Sequence, residues 1–204
     1  MRISDGKRFV FVHIPKTGGA TMEKVLDRGI PDVRYEEPRK HDTLAHILEL
    51  EPQVVDYWIF GFVRNPWARM VSWWSMIHDA AGAADAGNEW KQYQVNKYPL
   101  WRAMRDYTFE EFCTRGADEF ERVRRPQLEF LTVPGRGPDF VGRTENIVDD
   151  VNKVRERLNL KVRPKLPHAH RGSHGPYRDY YTPALRDRVG QLFKADVDEF
   201  GYEF

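Results

Sequence analysis

The apolar run Phe9-Val10-Phe11-Val12 passes directly into His13-Ile14-Pro15-Lys16-Thr17-Gly18-Gly19-Ala20-Thr21, and from there into a segment with helical spacing. A strand, a glycine-bearing loop and a helix N-terminus in that order constrain the fold more than any other stretch of the chain. Loop N–H groups and the positive end of the helix dipole converge where a phosphate or sulfate can sit. Gly18 and Gly19 let the backbone approach closely, and Lys16 adds a mobile positive charge. In a Walker A loop the lysine follows the glycines. Here it precedes them, so this is not an ordinary ATP loop.

The remaining pattern extends the same reading. Lys7–His13 reads as a buried strand and Ala20–Arg28 as a helix with Met22, Val25 and Leu26 apolar. A short extended piece near Val33–Tyr35 precedes a helix over Thr43–Leu50, which Pro52 stops. Tyr57–Val63 is apolar almost throughout, as a central parallel strand covered on both faces should be. Asn65-Pro66 opens a helix to about Ala80, with proline at its tolerated first position. Ala80–Asn88 is small and polar and reads as a mobile loop, while Trp90–Tyr107 carries five aromatics without a clear period.

Thr108 reads as an N-cap for Phe109–Thr114, Gln127–Leu131 as a short helix and Asp139–Gly142 as a strand. Thr144 is expected to cap a helix whose Ile147, Val148, Val151, Val154 and Leu158 share one face. Pro164–Tyr181 is loop-like, and Thr182-Pro183 opens a last helix with Leu185, Val189, Leu192, Phe193, Val197 and Phe200 on one stripe. Strands alternating with helices predict an α/β fold, a mainly parallel sheet flanked by helices on both faces. The 204 residues suit one domain better than two.

A net charge of +1 gives no global electrostatic case for nucleic acid or an anionic membrane. The clusters Arg122–Arg125 and Lys161–Lys165 read as solvated basic faces. No apolar run reaches the roughly 18 residues that span a bilayer. The single cysteine, Cys113, forms no internal disulfide, and a core strand within ten residues of Met1 leaves no room for a leader. Cytoplasmic localisation is the expectation, and the oligomeric state is left open.

A second informative segment, Gly61-Phe62-Val63-Arg64-Asn65-Pro66-Trp67-Ala68-Arg69-Met70-Val71-Ser72, begins at the end of the central strand. Ligands in open α/β sheets bind beyond the carboxyl ends of strands. Arg64 stands where a Walker B strand would carry an aspartate for Mg²⁺, and an arginine there prefers an anion. Ser72, two turns along, offers a hydroxyl to the same anion. Two such loops imply a ligand with phosphate-like groups at two places.

Ile14–Gly19 followed by Val63-Arg64-Asn65-Pro66-x-x-Arg69-x-x-Ser72 resembles the paired signatures of sulfotransferases that use 3′-phosphoadenosine-5′-phosphosulfate (PAPS). Phe140–Asn146 and the ending from Tyr180-Tyr181-Thr182-Pro183 to Phe200–Phe204 are similar to the branch containing carbohydrate sulfotransferases, sulfotransferase family 2. The resemblance implies a P-loop-type fold, a single sulfotransferase domain over 1–204, no metal, and in-line transfer of a sulfuryl group to an acceptor hydroxyl. It leaves adenosine 3′,5′-bisphosphate as product. Lys16 would neutralise the leaving 5′-phosphate oxygen, and Thr17, Gly18, Gly19, Ala20 and Thr21 would cradle the phosphosulfate, with the two threonine hydroxyls adding contacts. Arg64 and Ser72 would take the 3′-phosphate. A later loop would fold over the cofactor. There His170-Arg171-Gly172-Ser173 carries histidine where the branch has asparagine, and Arg171, Ser173, Tyr177 and Arg178 are candidate contacts.

An attacking hydroxyl needs a base. His41 is the candidate, placed after the second strand and before a helix start, where the helix dipole favours a neutral ring. A surface histidine at the helix start is the plainer alternative. His46 is the second choice, followed by Glu36, Glu37 and Asp42. His13 reads as support for the base of the loop. His168, His170 and His174 lack the flanking pattern of a zinc motif. Trp90, Tyr93 and Trp101, with Tyr98 and Tyr107, form either an acceptor wall for a glycan or small molecule or a satellite core. Two other functions fit parts of the pattern: a P-loop nucleotide kinase or NTPase, and a non-catalytic adenine-nucleotide binding module.

Overall fold

Two apolar runs form the middle of a four-stranded sheet, because only a strand covered on both faces buries every side chain. The computed structural model describes residues 1–35, 40–160 and 174–204. Its elements in chain order are β1 (Arg2–Ser4), β2 (Phe9–Val12), α1 (Gly19–Gly29), α2 (Leu44–Leu50), β3 (Trp58–Val63), α3 (Pro66–Asp85), α4 (Glu89–Lys97), α5 (Pro99–Met104), α6 (Phe109–Glu111), α7 (Ala117–Glu119), α8 (Glu121–Arg124), α9 (Leu128–Leu131), β4 (Phe140–Arg143), α10 (Ile147–Arg157), α11 (Pro183–Leu192) and α12 (Lys194–Phe200). The chain divides into two compact units: Met1–Arg64 with Pro126–Ala169, and Asn65–Arg125 with His170–Phe204.

The first unit holds the sheet, in the order β1-β2-β3-β4. β2, β3 and β4 are parallel, with Val12 beside Gly61 and Val63 beside Arg143, while β1 pairs antiparallel with β2. Phe9, Phe11, Phe60 and Phe62 point to one face, where they pack with Met22, Val25 and Leu26 of α1 and Val151, Val154 and Leu158 of α10. On the other face a side chain at Gly61 would strike Leu131 of α9 at 2.5 Å. Helices therefore cover both faces of a mainly parallel sheet. β1 has no counterpart in the sequence reading: three residues, two of them polar, give no apolar run to read.

Two expectations about α10 are corrected. Thr144 does not cap it; its hydroxyl donates to the Val63 carbonyl at 3.0 Å, and α10 starts without a side-chain cap. Asp149 and Asp150 in the first turn favour the helix dipole instead. Val148 does not join the buried face but lies 55% exposed, one position off the inward stripe.

In the second unit Asn65 caps α3, its side-chain oxygen accepting from the N–H groups of Trp67 and Ala68 at 3.1 and 3.2 Å. The loop expected at Ala80–Asn88 is helix as far as Asp85, followed by a short turn into α4. Alanine is the strongest helix former, and Ala80 and Ala84 are buried against Val95 of α4. The aromatic segment after it forms α4 and α5. Thr108 and Glu111 make a reciprocal capping box at α6. The last helix breaks at Phe193 into α11 and α12, with Thr182 accepting from the Leu185 N–H at its start. Arg69 is wholly buried here, its guanidinium 5.5 Å from the Trp73 ring and 5.7 Å from that of Phe193. Burial lowers it to about 10 against the pull of buried Asp196, so it stays charged at neutral pH.

Candidate active site

The loop from His13 to Gly18 is built from tight packing as much as from open backbone. Gly18 has φ +78°, and a Cβ there would meet Ile147 at 2.5 Å; a Cβ on Gly19 would meet the His13 ring at 2.1 Å. Both glycines are thus required by neighbouring side chains. Lys16 has φ +68°, a left-handed conformation that costs a non-glycine residue about 1–2 kcal/mol. Such strain is retained where surrounding contacts fix the backbone.

The N–H groups of Gly19 and Ala20 stand in the first turn of α1, where the helix supplies no acceptor. The Thr21 N–H differs, since it donates to the Gly18 carbonyl at 2.9 Å. The Thr17 hydroxyl donates to the Ile14 carbonyl at 3.0 Å. Its only proton is spent there, and an anionic oxygen can only accept, so Thr17 serves the loop's own shape in this arrangement.

Arg64 ends β3 under tight control. Its N–H donates to Gln127 Oε1 and its carbonyl accepts from Gln127 Nε2, both at 2.8 Å. Gln127 is completely buried. The Arg64 Nη1 lies 3.5 Å from the Lys16 carbonyl, so the two motifs meet within the first unit. Ser72, by contrast, belongs to the second unit, half-buried on α3.

His13 is buried at the foot of the loop, with Nδ1 2.9 Å from Glu23 Oε1. Burial pushes its imidazole below the ordinary range, against the opposing pull of Glu23. Burial also disfavours charge on Glu23, but the His13 hydrogen bond and the nearby Lys40 and Arg2 outweigh it and hold the carboxyl well below its usual range. Arg2 Nη1 lies 3.0 Å from Oε1, and Lys40 Nζ 3.4 Å from Oε2. His13 therefore donates from Nδ1 to an ionised carboxylate.

His41 follows Lys40 directly. Its Nδ1 is 2.9 Å from the His13 carbonyl oxygen, and the two rings meet edge to face with centroids 4.5 Å apart. A carbonyl only accepts, so Nδ1 carries the proton, and a neutral His41 keeps its lone pair on Nε2. His46 is exposed, its Nδ1 2.7 Å from Asp42 Oδ1. Glu23 and Gln127 escaped the sequence reading. Glu23 left one trace, a carboxylate between Met22 and Val25 on an otherwise apolar face; Gln127 left none, because it acts on backbone 63 residues away.

The other candidates divide. Trp90, 63% exposed, stacks on exposed Tyr93 at 5.5 Å, while Trp101 packs partly buried against Ala80, Ala84 and Val95. Tyr177 is half-buried with its ring 5.7 Å from Phe204. Arg171, Ser173, Glu36 and Glu37, with His168 and His170, lie outside the described residues. Among the described residues no group of three or more His, Cys, Asp or Glu side chains is placed to hold a metal ion, and no helix is long and apolar enough to cross a membrane.

A search of curated proteins gives no match. Among solved structures the chain is similar to mouse sulfotransferase SULT7A1 complexed with PAP, at 15% identity over 95% of this chain and 86% of that one, with a TM-score of 0.48. The Sulfotransferase family matches residues 1–203, a span that takes in the lysine-first loop, Arg64 at the end of β3 and both units, and the chain belongs to that family.

Proposed function

We propose that this sulfotransferase, with residues 1–204 acting as one domain, takes its sulfuryl group from PAPS and passes it to an acceptor hydroxyl of a glycan, small alcohol or phenol. The observation that carries this reading is the meeting of two cationic motifs, Arg64 Nη1 at 3.5 Å from the backbone of Lys16, beside the first-turn N–H groups of Gly19 and Ala20. That surface suits an anion, and the nearby carboxylate, Glu23, is already matched by His13, Arg2 and Lys40.

PAPS supplies the sulfuryl group and a phosphate leaving group. Lys16 neutralises the charge that grows on the 5′-phosphate oxygen, and the N–H groups of Gly18, Gly19 and Ala20 hold the phosphosulfate. Thr17 contributes through its backbone, and Thr21 through its hydroxyl. Arg64 takes the 3′-phosphate. Ser72, Arg171, Ser173 and Tyr177 are assigned to the same cofactor from motif position alone. His41 Nε2 receives the hydroxyl proton as the acceptor oxygen bonds to sulfur and the bond from sulfur to the phosphate oxygen breaks. Positioning and charge stabilisation supply most of the rate in such a displacement. Trp90 and Tyr93 are assigned to the acceptor from residue type alone, as aromatic faces suited to stacking.

The test is transfer of label from PAPS to a panel of hydroxyl acceptors, with calorimetry of adenosine 3′,5′-bisphosphate alongside. Label transfer with tight bisphosphate binding is expected. A chain that binds neither PAPS nor the bisphosphate is not a PAPS enzyme.

A further inference from the structure

We propose that Glu23 is a positioning residue for His41, holding from inside the fold the two groups that flank its ring; the proposal rests on the reading of His41 as the base. One carboxylate oxygen accepts from His13 Nδ1 at 2.9 Å, and the other lies 3.4 Å from Lys40 Nζ. His13 presents the carbonyl that takes the His41 Nδ1 proton at 2.9 Å, and its ring abuts His41 at 4.5 Å. Lys40 is the residue before His41. Glu23 thus grips the ring's hydrogen-bond partner and the backbone that delivers it.

The grip is anchored. Glu23 sits on α1, four residues after Gly19, and is 5% exposed. Arg2 of β1 reaches Oε1 at 3.0 Å while binding Asp27, so the carboxylate is fixed from the sheet edge as well. The titratable and charged groups around it are Arg2 and the Met1 amine from the β1 side, His13 below the loop, Lys40 ahead of α2, and Asp27 one turn along its own helix. Gly19 closes the arrangement. Without a side chain it leaves room for the His13 ring, which keeps the His13 carbonyl turned to His41. The same histidine that supports the phosphosulfate loop therefore sets the tautomer of the base, and Glu23 couples the two.

The experiment compares the full-length wild type, Glu23→Gln and Lys40→Met, the latter on a half-exposed side chain whose loss leaves the buried contacts in place. Long-range proton–nitrogen NMR of the His41 ring reads its tautomer without any turnover. The Nδ1-protonated form is expected in the wild type and a mixture of tautomers in Glu23→Gln. With PAPS and a working acceptor, kcat should fall roughly 10- to 100-fold in Glu23→Gln, the size of effect that follows loss of a partner orienting a metal-bound imidazole. Lys40→Met should fall less, and bisphosphate affinity should stay within about threefold in both, which also shows that they fold. Because Glu23 acts through His41, adding Glu23→Gln to His41→Ala should cost little further rate. An unchanged His41 tautomer in folded Glu23→Gln, or fully additive losses in the double variant, overturns the proposal. Full turnover by His41→Ala alone instead overturns the assignment of the base, and the NMR result still decides whether Glu23 positions the ring.

Discussion

Gln127 and Arg64 are joined main chain to side chain like neighbouring strands: the Gln127 amide accepts from the Arg64 N–H and donates to its carbonyl, each at 2.8 Å. The sheet ladder ends at Val63 opposite Arg143, so a buried side chain supplies the next rung. Replacing Gln127 by Leu strands both groups, and each unsatisfied buried group costs about 1–3 kcal/mol. Urea melts should show that loss, and bisphosphate affinity should fall with it. Wild-type values for both would mean that Arg64 is held by other means.

For Arg64 itself, a charge-assisted contact to the 3′-phosphate is typically worth about 1.5–3 kcal/mol, so Arg64→Ala should weaken adenosine 3′,5′-bisphosphate roughly 10- to 100-fold. Calorimetry should also find AMP, which lacks that phosphate, binding wild type far more weakly than the bisphosphate. Equal affinities would remove the assignment.

Lys16→Ala should lower kcat much more than it raises the KM for PAPS, since its charge matters most once the leaving oxygen is anionic. Chelation of divalent metals should leave wild-type turnover intact. Loss with EDTA and recovery with Mg²⁺ would favour a nucleotide kinase instead.

His41→Ala is expected to cost about 10²–10⁴ in kcat, with bisphosphate affinity nearly unchanged. His41→Gln should not restore the rate, because an amide cannot accept the proton.

Acid should destabilise the first unit, and His13 and Glu23 each contribute a stage to that loss. His13 and Glu23 both have depressed values in the folded protein, so the unfolded chain binds more protons and stability falls as pH drops. The His13 loss begins below about 6.5 and the Glu23 loss below about 4.3, the values of the unfolded groups. Urea midpoints at stepped pH should show both stages in wild type, with the second diminished in Glu23→Gln. A pH-independent midpoint between 7 and 4 would contradict the buried, neutral state of His13.

The two central strands, the lysine-first loop and α1 were legible because unbroken apolar runs and a glycine pair leave few other structures for them. Ala80–Asn88 misled, since small residues suit a loop in isolation, whereas the buried alanines make a close seat for Val95. Thr144 misled for a related reason: a hydroxyl before a helix has a local use, but here the Val63 carbonyl claims it. At the candidate site, charge and loop order single out Lys16 and Arg64, because each stands at a position the sequence displays directly. The buried groups that hold Arg64 and His13 leave no such mark. Gln127 and Glu23 act across 63 and 10 residues on partners that only the folded sheet brings within reach.

Gly61 gives the central strand an unusual mechanical duty. With only a hydrogen at that point, Leu131 comes so near that a single methyl group would lie 2.5 Å from it and 3.2 Å from the Val12 carbonyl on the adjoining strand. The missing methyl acts as a gauge block, setting how deeply α9 seats against the sheet, and the Gln127 amide travels with that seating. A Gly61→Ala change would be felt three residues away as a guanidinium aimed off its mark, in a protein whose cationic side chains were all still present.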